Sequence, residues 1–193
     1  MASERPRSVA RFVRYLPDRV LHSLRRRSAA RRLRRLSPPR GVLFICHGNI
    51  CRSPYAAAWA RLLLSAGTRV ESAGFIGQGY LSPAEAVAAA GERGVDLAPH
   101  RSQQVTPELL DASDLVVVMD GAQRERILGA RPALAGRTVL LGDLDPEPIA
   151  RRAIYDPVFQ SVEVFRSTYA RVERCTRALC GLWNERGAGD AGR

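Results

Sequence analysis

Apolar residues fall in two patterns along the chain: short continuous runs and stripes at helical spacing. Val42-Leu43-Phe44-Ile45-Cys46 and Leu115-Val116-Val117-Val118-Met119 are near-continuous runs, as expected of strands covered on both faces. Residues 138–141 form another, and a short strand is expected near 68–72. Between the first two strands, Ala56, Ala57, Trp59, Ala60, Leu63 and Leu64 recur at helical spacing, which predicts a helix over about 53–66. Further helices are expected at 83–93, 106–110, 121–129 and 160–184. Strands separated by helices imply an α/β fold: a single doubly wound parallel four-stranded sheet with helices on both faces. Ligands of such sheets bind at the carboxyl ends of the strands.

The first forty residues differ from the rest. Val9, Phe12, Val13, Leu16, Val20 and Leu24 lie near helical spacing among arginines, and Pro17 is expected to interrupt or restart the helix. Ser37-Pro38-Pro39 reads as a linker. Net charge is +11; residues 1–40 hold 13 Arg and 2 acids, whereas residues 41–193 hold 17 of each. The basic character therefore belongs wholly to the extension, and a nucleic-acid partner is not expected for the remainder. The extension reads as a partly helical or disordered solvated arm, as a basic segment for an anionic membrane surface, or as a transit peptide. The domain proper is placed at 41–186, contains the complete site, and is expected to work without the extension; residues 187–193 are a flexible tail. The basic residues are all Arg, which suggests a GC-rich bacterial genome. Four cysteines without a secretory signal point to a reducing, cytoplasmic compartment, and no run reaches the roughly 20 apolar residues of a membrane span.

The first strand ends in a cysteine and leads into Cys46-His47-Gly48-Asn49-Ile50-Cys51-Arg52-Ser53-Pro54 and then a helix. Backbone N–H groups of such a loop form an anion nest, reinforced by the helix N-terminus. A cysteine at its mouth is a candidate nucleophile, since the same dipoles stabilise a negative sulfur. Arg52 offers a planar fork for phosphoryl oxygens. Cleaving a phosphate ester also needs a proton for the leaving oxygen. The loop between the last strand and the last helix can reach Cys46, and its acids Asp143, Asp145, Glu147 and Asp156 are candidates. The residues suggest no metal cluster, and the chemistry requires no cofactor.

Residues 46–54 match throughout the pattern Cys-x-Gly-Asn-x-Cys-Arg-Ser-Pro, and in this the chain resembles the low-molecular-weight protein tyrosine phosphatases. The resemblance extends to Asp156-Pro157 and to Phe165 and Tyr169 in the last helix. It implies hydrolysis of phosphotyrosine through a cysteinyl-phosphate, with Cys46 as nucleophile, Arg52 as clamp and Asp156 as general acid and base. Loop residues His47, Gly48, Asn49, Ile50, Cys51 and Ser53 would bind the phosphate; Asn49, Ser53 and His100 would support the loop. Cys51 would protect Cys46 as a reversible disulfide, whereas Cys175 and Cys180 read as core filling. The family commonly has two aromatics after Asp-Pro; here Val158 and Phe159 stand there, leaving Phe159 as a rim wall, with Phe75 and Tyr80 as further rim candidates. The implied partner is a phosphotyrosine protein, such as a bacterial tyrosine kinase.

Three alternatives share the loop. An arsenate reductase of this fold uses an extra cysteine pair in mid-chain, where residues 54–174 hold none. A protein arginine phosphatase carries Thr at the position of Ile50. A non-catalytic phosphate-binding module would not need Cys46, Arg52 and Asp156 together.

Overall fold

The computed structural model describes residues 6–190, and side-chain surroundings over residues 17–183. Helix α1 (Pro6–Arg34) precedes β1 (Gly41–Cys46), α2 (Arg52–Leu63), β2 (Arg69–Gly74), α3 (Ala84–Gly91) and α4 (Pro107–Asp111). Then come β3 (Leu115–Val118), α5 (Gly121–Ala130), β4 (Thr138–Leu140) and α6 (Val162–Asp190). Two 3-10 segments, Pro132–Arg137 and Leu141–Leu144, flank β4.

The four strands form one sheet in the order β2-β1-β3-β4, with every pairing parallel. The two inner strands are buried along their whole length, which is why they read as continuous apolar runs. Alternate residues supply two cores. Val42, Phe44, Leu115 and Val117 pack with residues of α1, α2, α3 and α6. Leu43, Ile45, Val116 and Val118 pack with Leu110 of α4 and Ile127 of α5. The expected doubly covered sheet is therefore present, and Cys46 closes β1 at its carboxyl end opposite Gly74.

The N-terminal arm departs from expectation. Pro17 does not interrupt it: α1 runs unbroken from Pro6 to Arg34. An interior proline costs a helix about 3 kcal/mol, and burial downstream offsets it. Leu33 is fully buried and Ala29 nearly so; one such leucine contributes about 2 kcal/mol. His22 is also buried and donates from Nε2 to the Asp145 carbonyl at 2.9 Å. Asp18 pairs with Arg25 at 2.7 Å and accepts from the Arg152 amide at 3.1 Å. Arg32 donates to the carbonyls of Ala135 and Thr138 at 3.3 and 3.0 Å. The second half of α1 is thus a packed layer of the fold and not a solvated arm. Val9, Phe12, Val13 and Leu16 lie outside the residues whose side chains are described. At the other end, residues 187–190, expected as tail, continue α6; residues 191–193 lie outside the described residues.

Candidate active site

The loop from Cys46 to Arg52 turns tightly enough to need special backbone. Asn49 sits at φ 55°, a left-handed conformation that asparagine tolerates better than most residues. Gly74 of β2 makes the turn possible. A Cβ there would come within 2.7–2.9 Å of Asn49 N, His47 O and Gly48 C, so the loop lies directly on the glycine backbone. The Phe75 amide donates to the His47 carbonyl at 2.7 Å and secures the rim.

A hydrogen-bonded frame holds Asn49 from three elements. Its Nδ2 donates to Ser53 Oγ and Ser72 Oγ, each at 2.9 Å, and its Oδ1 accepts from the Gln103 amide at 2.9 Å. His100 Nε2 lies 2.6 Å from the Asn49 carbonyl. The carbonyl can only accept, so Nε2 donates; burial, opposed by that bond, lowers the His100 pKa below its ordinary value. The structure therefore brings Asn49, Ser53 and His100 together. Ser72 and Gln103 were not expected from the sequence: they lie 23 and 54 residues from Asn49, and neither stands in a local motif.

Cys46 Sγ accepts from the Asn49 amide at 3.2 Å and from Ser53 Oγ at 3.0 Å. Both donors are fixed by the frame just described. Cys51, the residue before α2, is equally buried and is a free thiol, as is Cys46. Burial first, and then the neighbouring Cys46, push its pKa far up, so Cys51 is no rival nucleophile. Beneath the loop, Tyr169 Oη donates to the Cys51 carbonyl at 3.2 Å, and its ring stacks on Tyr55 at 3.8 Å. Phe165 meets Tyr169 edge-on. Cys175 and Cys180 are buried in α6 within the core.

Arg52 opens α2 and is buried. Its Nη1 donates to the Ile154 carbonyl at 3.2 Å, and its Nη2 is bonded to Asp156 Oδ2. Asp120 Oδ2 lies 3.8 Å from Nη1. Arg52 Nε is buried with no hydrogen-bond partner among the described residues. Asp120, like Ser72 and Gln103, was not expected from the sequence. It caps α5, accepting from the Gln123 amide at 2.8 Å, and the Asp-x-x-Gln pattern at the end of β3 was the available signal.

The other acids of the loop after β4 are occupied. Asp143 is bound bidentately by Arg152, at 2.7 and 2.6 Å. Asp145 is fully buried; burial works to raise its pKa, but bonds from Arg174 and Arg171 hold it below the carboxylate range. Glu147 is exposed and pairs with Arg174 at 3.3 Å, and of the four acids Asp156 alone meets Arg52.

A cleft of about 510 Å³ opens over this arrangement, lined by His47, Arg52, Phe75, Asp120, Tyr155 and Asp156 among others. Phe75 lies beneath the Arg126 guanidinium at 4.4 Å. Phe159 does not line the cleft; it is 96 % exposed at φ 63°, so the aromatic wall expected of it is supplied by Phe75 and Tyr155. Tyr80 is also exposed away from the cleft. Gly48 and Ile50 are half-buried in the loop, and His47 is exposed at its edge.

A family model described as low molecular weight phosphotyrosine protein phosphatase matches residues 41–186. "Probable low molecular weight protein-tyrosine-phosphatase EpsP" of Ralstonia nicotianae is 38% identical over 135 residues, 69% of this chain and 88% of that protein. Vibrio vulnificus Wzb, solved in complex with benzylphosphonate, aligns with a TM-score of 0.65 and 32% identity, covering 73% of this chain and 97% of the other. The YwlE arginine phosphatase from Geobacillus stearothermophilus aligns with a TM-score of 0.68 and 28% identity, covering 79% and 97%.

Proposed function

We infer the reaction from one premise: the chain belongs to the low-molecular-weight protein tyrosine phosphatases, and it hydrolyses phosphotyrosine on proteins. Cys46 Sγ attacks phosphorus in line, forming an S–P bond as the P–O bond to tyrosine breaks. Loop amides and the Arg52 guanidinium carry the charge of the equatorial oxygens. Asp156 gives its proton to the departing phenol. Asp156 then takes a proton from water, whose oxygen attacks phosphorus and releases Cys46 and inorganic phosphate.

The observation that carries this reading is the pair of donors on Cys46 Sγ, Asn49 N and Ser53 Oγ, in the same loop as a buried Arg52 Nε that has no partner among the described residues. A buried guanidinium donor left unsatisfied is costly, and a phosphoryl oxygen satisfies it. Asp156 is bonded to Arg52 through Nη2. An incoming phosphoryl group replaces Asp156 on the arginine and frees the carboxyl for the leaving oxygen.

Ile50 favours tyrosine over arginine as the phosphate carrier. It is half-buried and packs against the apolar core, and it offers nothing to hydrogen-bond a guanidinium brought beside it. The test is the ratio of kcat/KM for phosphotyrosine and phosphoarginine peptides, which Ile50→Thr should shift towards phosphoarginine; a wild-type preference for phosphoarginine would overturn the reading. The absence of cysteine between residues 54 and 174 speaks against arsenate reduction. An autophosphorylating bacterial tyrosine kinase is the substrate class that the resemblance suggests.

The enzyme is further proposed to work in the cytoplasm against an anionic membrane face. No helix of the described residues is long and apolar enough to cross a bilayer. The outer side of α1 instead exposes Val20 and Leu24 beside Arg26, Arg27 and Arg31, a combination suited to lying on acidic lipid.

A further inference from the structure

A second cleft, of about 280 Å³, lies between α1 and the catalytic fold. Four arginines line it: Arg25 and Arg32 from α1, Arg124 from α5, and Arg152 from the loop after β4. Two are already neutralised. Arg25 is paired with Asp18, and Arg152 is held bidentately by Asp143. The other two are not. Among the described residues, Arg32 reaches only carbonyl oxygens with its terminal nitrogens, and its Nε is buried without a partner. Arg124 makes no ion pair among the described residues.

Two guanidinium groups without an ion pair among the described residues thus share one small cleft. Burial first, and then the charge of Arg124, lower the pKa of Arg32, while the Asp143 carboxylate in the same lining works to raise it. Like charges brought together at a partly buried place repel, and Asp143, already held bidentately by Arg152, offsets only part of that cost. Planar guanidinium forks match the oxygens of a phosphate bidentately, and Ser28 adds a hydroxyl to the lining.

We propose that this cleft is a second anion site, separate from the catalytic loop, which takes a phosphate-bearing anion between Arg32 and Arg124. Its position gives it a consequence. Gln123 and Arg151 line the catalytic cleft while their neighbours Arg124 and Arg152 line this one, so the two sites share a wall. An anion held here ties α1 to α5 and to the loop that continues to Asp156. The α1 contribution lies outside residues 41–186, so the site belongs to this chain and not to the family at large. It also stands whether or not the catalytic reading holds.

The probe is inorganic pyrophosphate, titrated calorimetrically into full-length protein whose catalytic cleft is already saturated with vanadate. One further site is expected, with a rise in melting temperature that grows with pyrophosphate concentration. Arg124→Gln, a partly exposed position, should weaken that site about tenfold or more and cancel the thermal shift, while vanadate inhibition stays within about twofold of wild type. Arg32→Gln should do the same. No heat beyond the vanadate site, or pyrophosphate binding indifferent to Arg124→Gln, would overturn the proposal. Vesicles containing phosphatidate distinguish the source of the phosphate. If Arg124→Gln also releases the protein from them, a lipid headgroup fills the cleft; if it weakens only pyrophosphate binding, the ligand is a free anion.

Discussion

Arg52 and Asp156, 104 residues apart in sequence, are bonded to each other through Nη2 and Oδ2. Arginine and acid therefore arrive at one point from the two ends of the fold, α2 and the loop before α6. Replacing Asp156 by Asn keeps the shape but removes the transferable proton. For aryl phosphates with poor leaving groups kcat/KM should fall ~10²–10⁴-fold, and for those with good leaving groups it should be nearly spared. A leaving-group series of kcat/KM values checks this; equal loss across the series would remove Asp156 from the acid role.

The His100–Asn49 contact sets a pH dependence. The folded pKa of His100 is lowered, chiefly by burial, so the unfolded chain binds more protons than the folded one around and below pH 6.5. Stability therefore rises with pH through that window and is lost as pH falls from about 6.5 towards the folded pKa. Urea unfolding of wild type should show this acid slope. His100→Gln, which keeps a donor but cannot charge, should flatten it. An unchanged slope would mean that His100 does not report the loop frame.

Helix α1 makes the arm more than an appendage. Removing residues 1–36 takes away the Asp18 acceptor of Arg152 N and the His22 donor to Asp145 O, and it uncovers the bed of Leu33. The truncated enzyme should melt several degrees lower, since each kcal/mol lost shifts Tm by about 2–4 °C in a chain of this size. It should also turn over poor leaving groups more slowly than full-length protein and no longer sediment with acidic vesicles at low salt. A truncated enzyme equal in Tm and in turnover would restore the view of an independent domain from residue 41.

The contiguous parts of the molecule were readable from sequence. Residues 46–54 carry the proposed nucleophile, nest and clamp in one stretch, and two-sided burial of β1 and β3 writes itself as unbroken apolar runs. Strand carboxyl ends share an edge, which put the loop of Asp156 within reach of Cys46, and the resemblance singled out Asp156 among its acids. What was hidden is non-local. Asp120 meets Arg52 only because β3 lies beside β1, and Ser72 and Gln103 reach Asn49 across strand and loop. Gly74 mattered because backbone, not a side chain, presses on it. Pro17 misled because its local helix penalty is outweighed by burial of residues up to four turns later. Phe159 misled because the aromatic that follows Asp-Pro faces solvent here, while Phe75 and Tyr155, from two other segments, line the cleft.

The proposed mechanism passes through a covalent phosphocysteine at Cys46. Rapid quenching of Asp156→Asn with an aryl phosphate that has a good leaving group, followed by mass spectrometry of the digested protein, tests it most directly. One phosphoryl group should appear on the peptide that contains Cys46 within the first turnover, and none should form in Cys46→Ser, which should also lack turnover. Phosphoryl transfer to another residue, or phosphotyrosine hydrolysis by Cys46→Ser at the wild-type rate, would contradict the mechanism.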